Sequence, residues 1–283
     1  MTISAIGIVG AGTMGSGIAQ VAAQSGLDVV LCDIEQRLVE SAVRRIDAHL
    51  ERAVVKEKLT ADDKQAALAR ITTSTDLGAL SAAQVVIEAV IEDLELKKSV
   101  FTEVASVCPE DTVLATNTSS MSVTELGAAS GRPDRFCGIH FFNPVPVMRL
   151  VEVIRGVSTS DATVAVADEL VERLGKTVVH VAKDSPGFIV NRLLVPFLNE
   201  AARLLSEGVA SIEDIDTAVK LGLNHPMGPF ELIDMGGADL TVTVLDYFQA
   251  ELGSDRYAPQ PVLRRMARAG LNGRKSGAGF YQY

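Results

Sequence analysis

His140 and Glu152 are ionisable residues standing in two otherwise apolar runs, "FCGIHFF" (136–142) and "LVEVI" (150–154). An imidazole beside a carboxylate is a proton-transfer pair: the carboxylate orients the ring and raises its basicity. A glutamate inside an apolar strand is costly to bury without a partner. A histidine across the Pro-containing bend "NPVP" (143–146) is a plausible one. The plain alternatives are a satisfied core histidine and a strand-end glutamate facing water. The other histidines suggest less. His49 falls in a charged amphipathic helix, where it is solvated. His180 sits on a short strand and reads as packing, and His225 precedes Pro226 in a turn. Cys32, Cys108 and Cys137 are scattered and form no CxxC pair, so neither a disulfide framework nor a zinc site is expected. Each reads as a small buried apolar residue.

A second constellation lies near the start. "IGIVGAGTMGSGIAQ" (6–20) carries five glycines in fifteen residues. Within it, Gly10-Ala11-Gly12-Thr13-Met14-Gly15 is G-x-G-x-x-G, following an apolar strand and opening a helical pattern, which is the context a dinucleotide fingerprint requires. Gly10 permits the turn, Gly12 lets the backbone approach a diphosphate, and Gly15 lets helix and strand pack closely. The backbone of Gly10, Gly12, Thr13, Met14 and Gly15 is thus the expected diphosphate cradle, at a helix N-terminus. Asp33 follows at the end of the next apolar strand. There a carboxylate accepts the adenosine ribose hydroxyls, favouring NAD over NADP; nearby Arg37 softens that preference. FAD uses the same fingerprint. "LGKT" (174–177) resembles a phosphate loop, but Leu170 stands where its first glycine belongs. Gly175 is better read as a helix C-cap.

These residues need a scaffold. Short apolar strands alternate with helical spacings at 3–9, 14–25, 27–32, 38–54, 85–90, 93–107, 112–115, 136–142, 150–154, 161–174 and 177–181. Alternation predicts a mostly parallel sheet with helices on both faces, a Rossmann-type α/β domain over 1–183. Its strand ends are where ligands bind, and His140 stands at one. After "KDSPG" the pattern turns helical: 188–205, 211–220, 229–235, 238–250 and 261–269. An all-helical domain is expected over 184–283.

The string "HFFNPVPVMRLVEVI" (140–154) resembles the 3-hydroxyacyl-CoA dehydrogenase family. "ATNTSSMSVTEL" (115–126), "KDSPGFIVNRLL" (183–194), "HPMGPFELID" (225–234) and "GRKSGAGFY" (273–281) match its further motifs in order, over nearly the whole chain. In length the chain resembles the short, stand-alone bacterial members, the 3-hydroxybutyryl-CoA dehydrogenases of fatty acid metabolism. The resemblance implies NAD-dependent, reversible oxidation of an (S)-3-hydroxyacyl-CoA, with His140 as base and Glu152 as its partner. It implies that Ser119 hydrogen-bonds the substrate 3-oxygen and that Asn191 helps hold substrate. It places Glu92, Lys97, Asn143 and Lys275 near the nicotinamide half of the cofactor, and Lys56 against CoA. Residue by residue the plain readings are a turn serine for Ser119, an open-face polar residue for Asn191 and a solvated lysine for Lys56. His49 stands where animal enzymes carry a CoA-contacting serine. "HPMGPFELID" reads equally as a structural turn and helix start. The helical domain is expected to bind substrate and to carry a homodimer contact.

The net charge of −10 argues against a nucleic-acid partner, which needs clustered Lys and Arg. The uncharged residues 1–27 lack the positive start of a signal peptide, and glycines break any membrane span. A cytoplasmic protein without metal is expected. Two other readings stay open: a dehydrogenase of a free hydroxy acid or sugar acid such as gulonate, and a non-catalytic NAD-binding module.

Overall fold

The structure is a computed structural model that describes residues 3–283; residues 1 and 2, which open the expected 1–183 domain, lie outside the described residues. The chain divides into two compact units, Met1–Ser185 and Pro186–Tyr283.

The first unit carries eight strands: β1 (Ala5–Val9), β2 (Asp28–Cys32), β3 (Ile71–Ser74), β4 (Val85–Glu88), β5 (Val113–Thr116), β6 (Phe136–Phe141), β7 (Leu150–Ile154) and β8 (Thr177–Val181). Its helices are α1 (Thr13–Gln24), α2 (Gln36–Val55), α3 (Ala61–Ala69), α4 (Leu94–Val107), α5 (Val123–Ala129) and α6 (Asp161–Arg173). The strands form one sheet in the order β3-β2-β1-β4-β5-β6-β7-β8. The first six positions, 3-2-1-4-5-6, are the dinucleotide-binding order, whose switch point lies between β1 and β4. As expected, the sheet is mostly parallel. The one antiparallel pairing is β6 with β7, because a short bend rather than a helix joins them; β8 then runs parallel to β7. β3 has no counterpart in the sequence reading. Its four residues, "ITTS", are only partly buried at the sheet edge and leave too short an apolar signal. The central parallel strands β1, β4 and β5 are buried on both faces, so they read as nearly continuous apolar runs.

Helix starts follow the local chemistry. The side chains of Thr60, Asp93, Ser122 and Ser160 accept backbone N–H groups at the starts of α3, α4, α5 and α6. Gly175, at φ +68°, follows the end of α6 in the left-handed region, as its reading as a helix-ending glycine rather than part of a phosphate loop expects. Asp184 belongs to this unit: its carboxylate accepts the Ser122 hydroxyl (2.8 Å) and the Thr124 N–H (2.9 Å).

The second unit holds α7 (Val190–Ser206), α8 (Ile212–Gly222), α9 (Pro229–Gly236), α10 (Ala238–Leu252) and α11 (Pro261–Arg268). The expected helix over 188–205 starts later, because Phe188 takes φ +49° in the preceding turn. Phe230, Ile233, Leu245, Phe248 and Leu263 are its fully buried centre. Two buried carboxylates tie its loops together. Asp216 accepts the Phe230 and Glu231 N–H groups at the start of α9 (2.8 and 3.1 Å) and the Tyr281 hydroxyl (2.8 Å). Asp234 accepts the Phe280 and Tyr281 N–H groups (2.9 and 2.8 Å) and the Tyr283 hydroxyl (3.2 Å). The motifs "HPMGPFELID" and "GRKSGAGFY" thus meet through Asp234. A Cβ on Gly273 would stand 2.1 Å from the Asp234 carbonyl oxygen, and one on Gly279 2.1 Å from its carboxylate. Asp234→Ala strands buried donors and is expected to cost about 2–3 kcal/mol. Chemical denaturation would read that loss as a lower midpoint at unchanged slope; an unmoved midpoint refutes the role.

Candidate active site

The site is built at the C-terminal ends of β1, β4, β5 and β6. In the antiparallel register His140 faces Glu152 directly, so the two side chains share one face of the sheet. His140 Nδ1 and Glu152 Oε2 are 2.7 Å apart, with Glu152 fully buried and His140 nearly so. A carboxylate only accepts, so Nδ1 carries the proton and Nε2 is the basic nitrogen. The Phe142 ring lies 4.5 Å from the imidazole, centroid to centroid. The end of β6 is tied to the loop after β5, where Asn117 Oδ1 accepts the Phe141 N–H at 2.9 Å.

A second cluster surrounds Lys97. Its side chain is 1% exposed, and its ammonium lies 2.6 Å from Glu88 Oε1 and 3.1 Å from Glu92 Oε2. Glu92 Oε1 accepts the Ser119 N–H (2.9 Å), the Ser119 hydroxyl (3.2 Å) and the Thr118 hydroxyl (3.0 Å). Burial works to raise the Glu92 carboxyl; the Lys97 ammonium and these donors outweigh it and hold the group below the usual carboxylate range. Glu88 differs. Burial pushes its carboxyl up despite Lys97 and the bonds from Thr116 and Val90. Three residues from the sequence reading, Glu92, Lys97 and Ser119, are therefore joined in one network. Glu88, at its centre, was missed. Its signal was weaker than that of Glu152: Glu88 ends its apolar strand, "QVVIEAV", just before a loop, whereas Glu152 stands in the middle of one.

The glycine turn has the form a dinucleotide needs. Gly10 takes φ +105°, and a Cβ there would stand 2.5 Å from the Ala89 carbonyl oxygen. A Cβ on Gly15 would stand 1.8 Å from the Gly10 oxygen, whereas one on Gly12 would meet nothing within 4 Å. Gly12 caps α1 without a side chain, so the first N–H groups, around Thr13 and Met14, are left for an anion. Asp33 Oδ2 accepts the Ala11 N–H at 2.6 Å and Oδ1 accepts the Ile34 N–H at 2.7 Å, fixing the carboxylate beside the turn. Arg37 is paired with Glu35, and Arg45 donates to the Ala11 carbonyl (2.6 Å). The residues present fit a dinucleotide: an open glycine, an uncapped helix start and a fixed acid.

The remaining sequence candidates stand as follows. Asn143 is exposed in the bend after β6, and Lys56 is exposed as the C-cap of α2. In the second unit, Asn191 lies half-buried in the first turn of α7, and Lys275 pairs with Asp239 (2.6 Å). His49 is exposed, as expected. His180 does not pack. It is exposed at the sheet edge, 3.6 Å from Asp168, since β8 has no further strand to cover it. The three cysteines are buried, and burial pushes Cys32 up to about 11 and Cys137 up to about 12, so neither supplies a thiolate. Among the described residues, no cluster of His, Cys, Asp or Glu is placed to hold a metal ion, and no helix is long and apolar enough to cross a membrane.

Known proteins resemble this chain over its whole length. Residues 5–185 match the NAD-binding domain of 3-hydroxyacyl-CoA dehydrogenase, and residues 187–283 match its C-terminal domain. The chain is 48% identical over 277 residues to a probable 3-hydroxybutyryl-CoA dehydrogenase of Deinococcus radiodurans, covering 98% of this chain and 99% of the relative. It is 46% identical over 281 residues to the 3-hydroxybutyryl-CoA dehydrogenase of Bradyrhizobium diazoefficiens, covering 99% and 96%. The crystal structure of (S)-3-hydroxybutyryl-CoA dehydrogenase from Ralstonia eutropha superimposes with a TM-score of 0.97 at 49% identity, covering 99% of both chains. The sheet order, the glycine turn and these full-length likenesses agree: the chain belongs to the 3-hydroxyacyl-CoA dehydrogenase family of NAD-dependent oxidoreductases.

Proposed function

We propose that the chain oxidises (S)-3-hydroxybutyryl-CoA to acetoacetyl-CoA, reversibly, with NAD as hydride acceptor. The observation that carries this reading is the buried His140–Glu152 pair at the C-terminal end of β6. A secondary alcohol must lose a proton from oxygen as hydride leaves carbon. Nε2 of His140 takes that proton, and the Glu152 carboxylate stabilises the imidazolium. Ser119 steadies the developing carbonyl oxygen. Bound nicotinamide supplies the hydride chemistry. Gly10, Gly12, Thr13, Met14 and Gly15 hold the diphosphate, Asp33 the adenosine ribose, and Glu92, Lys97, Asn143 and Lys275 the nicotinamide half. Asn191 holds substrate, and Lys56 contacts CoA. In the reverse direction His140 returns the proton.

The deciding experiment follows NADH oxidation with acetoacetyl-CoA against free acetoacetate, and NAD reduction with sugar acids. Turnover confined to the thioester is expected. Equal turnover of the free acids would move the chain to hydroxy-acid dehydrogenation, and no turnover at all would leave a binding module.

The same reading makes the second unit the substrate and dimerisation domain. Its helices leave Leu193 (70%) and Leu221 (81%) exposed, apolar surface suited to a second copy. Light scattering is expected to give twice the chain mass; a monomer at micromolar concentration refutes it.

Asp33 is assigned the choice of NAD over NADP. Asp33→Ala is expected to lower kcat/KM for NADH about tenfold, the worth of one hydrogen bond to a charged group. The value for NADPH should hold or rise, because the charge repelling its 2′-phosphate is gone. A loosened turn would instead depress both cofactors together. A wild-type preference for NADPH would defeat the assignment.

A further inference from the structure

Glu88 takes no part in the chemistry above, yet it is fully buried and has its hydrogen-bonding capacity engaged. Oε1 accepts the Lys97 ammonium (2.6 Å) and the Val90 N–H (2.7 Å), and Oε2 accepts the Thr116 hydroxyl (2.7 Å). Its backbone carbonyl accepts the Asn117 N–H (2.9 Å). The next residue, Ala89, is the one against which Gly10 closes. Glu88 therefore stands where the glycine turn, the Glu92 loop and the end of β5 converge.

A buried ion pair is a weak device for stability, because apolar residues of similar volume serve as well or better. Orientation is a different matter. Lysine is a point charge on a flexible four-carbon stem, and Glu92, its second partner, is 42% exposed. With Glu92 alone, the ammonium would be paired only with a carboxylate that faces water on one side. Glu88, rigidly held on a central strand, gives it a fixed seat. The chain of contacts then runs outward: Glu88 fixes Lys97, Lys97 fixes Glu92, and Glu92 holds Thr118 and Ser119.

We propose that Glu88 is a positioning residue for the cofactor site, seating the Lys97 ammonium so that Lys97 and Glu92 are held ready for NAD. The inference rests on the reading of Glu92 and Lys97 as cofactor-facing. Its physical content is preorganisation: the side chains that bind are locked by a residue that does not.

The test is a cycle of four proteins: wild type, Glu88→Gln, Lys97→Met and the double variant. Each is titrated with NADH alone, by fluorescence, and melted. Glu88→Gln leaves a buried ammonium short of one counter-charge, so its midpoint should fall. Its NADH affinity, measured well below that midpoint, should weaken about tenfold, as for a lost charge-assisted bond. The double variant removes the stranded charge and should recover thermal stability relative to Glu88→Gln. It should still bind NADH no better than Lys97→Met, since residues acting through one another are not additive. A Glu88→Gln protein that melts early but binds NADH normally makes Glu88 merely structural and overturns the inference. Additive losses of affinity overturn it too. Should Glu88→Gln fail to fold, the double variant against Lys97→Met decides: equal affinity supports the chain of contacts, and a further loss refutes it. If Lys97→Met itself binds NADH normally, the cofactor reading of Lys97 falls, and the inference with it.

Discussion

His140→Gln is expected to lose turnover by about 10²–10⁴-fold, the range of general acid–base catalysis, while its affinity for NADH holds. Glutamine still bridges toward Glu152 but has no nitrogen that takes a proton. The cofactor groups, from the glycine turn to the Lys97 network, are left intact. Near-normal turnover would make His140 structural and put the base elsewhere. Glu152→Gln sharpens the test. It keeps size and an oxygen that accepts the Nδ1 proton, but removes the charge that favours imidazolium in the transition state. Turnover should fall, and the double variant should be little worse than His140→Gln alone, because residues that act as a unit are not additive. A Glu152 that serves only the core predicts another pattern: a large drop in the melting midpoint and losses that add.

Gly15→Ala is expected to abolish NADH binding and to destabilise the fold. Its Cβ would stand 1.8 Å from the Gly10 carbonyl oxygen, far inside contact distance, and the obstacle is backbone, which cannot rotate away. α1 must then lift off the turn that ends β1, and its N-terminus loses its aim. A loss of about 10²-fold or more in NADH affinity follows, since each ~1.4 kcal/mol is a factor of ten. Gly12→Ala is the control. Its Cβ meets no protein atom within 4 Å and its φ of −69° suits any residue, so the fold should melt as before. Only the approach of the diphosphate is obstructed, and NADH affinity alone should fall. If Gly12→Ala binds NADH as the wild type does, the diphosphate does not lie over this turn. If Gly15→Ala folds and binds normally, the close packing of helix and strand is not what the third glycine is for.

Much of this protein was determined by its sequence, for local reasons. G-x-G-x-x-G between an apolar strand and a helical pattern fixes a turn, because only glycine tolerates φ +105° at Gly10 and the closeness at Gly15. Thr60, Ser122 and the break after "KDSPG" mark boundaries through capping and a change of period, both readable a few residues at a time. Glu152 stood out because a charge inside an apolar strand demands a partner. What the sequence left open is what depends on neighbours far along the chain. The antiparallel register that sets His140 opposite Glu152 follows from how the bend between β6 and β7 closes, and period-two patterning alone does not choose between parallel and antiparallel partners. β3 and the exposure of His180 are decided by edge positions in the sheet, which are properties of strand order. Glu88 shows the limit most clearly. By itself it is one more acidic residue before a loop. Only when β4 and β5 lie side by side and α4 brings Lys97 underneath does it become the fixed seat of a buried charge, because burial and counter-charge come from residues 9 and 28 positions away.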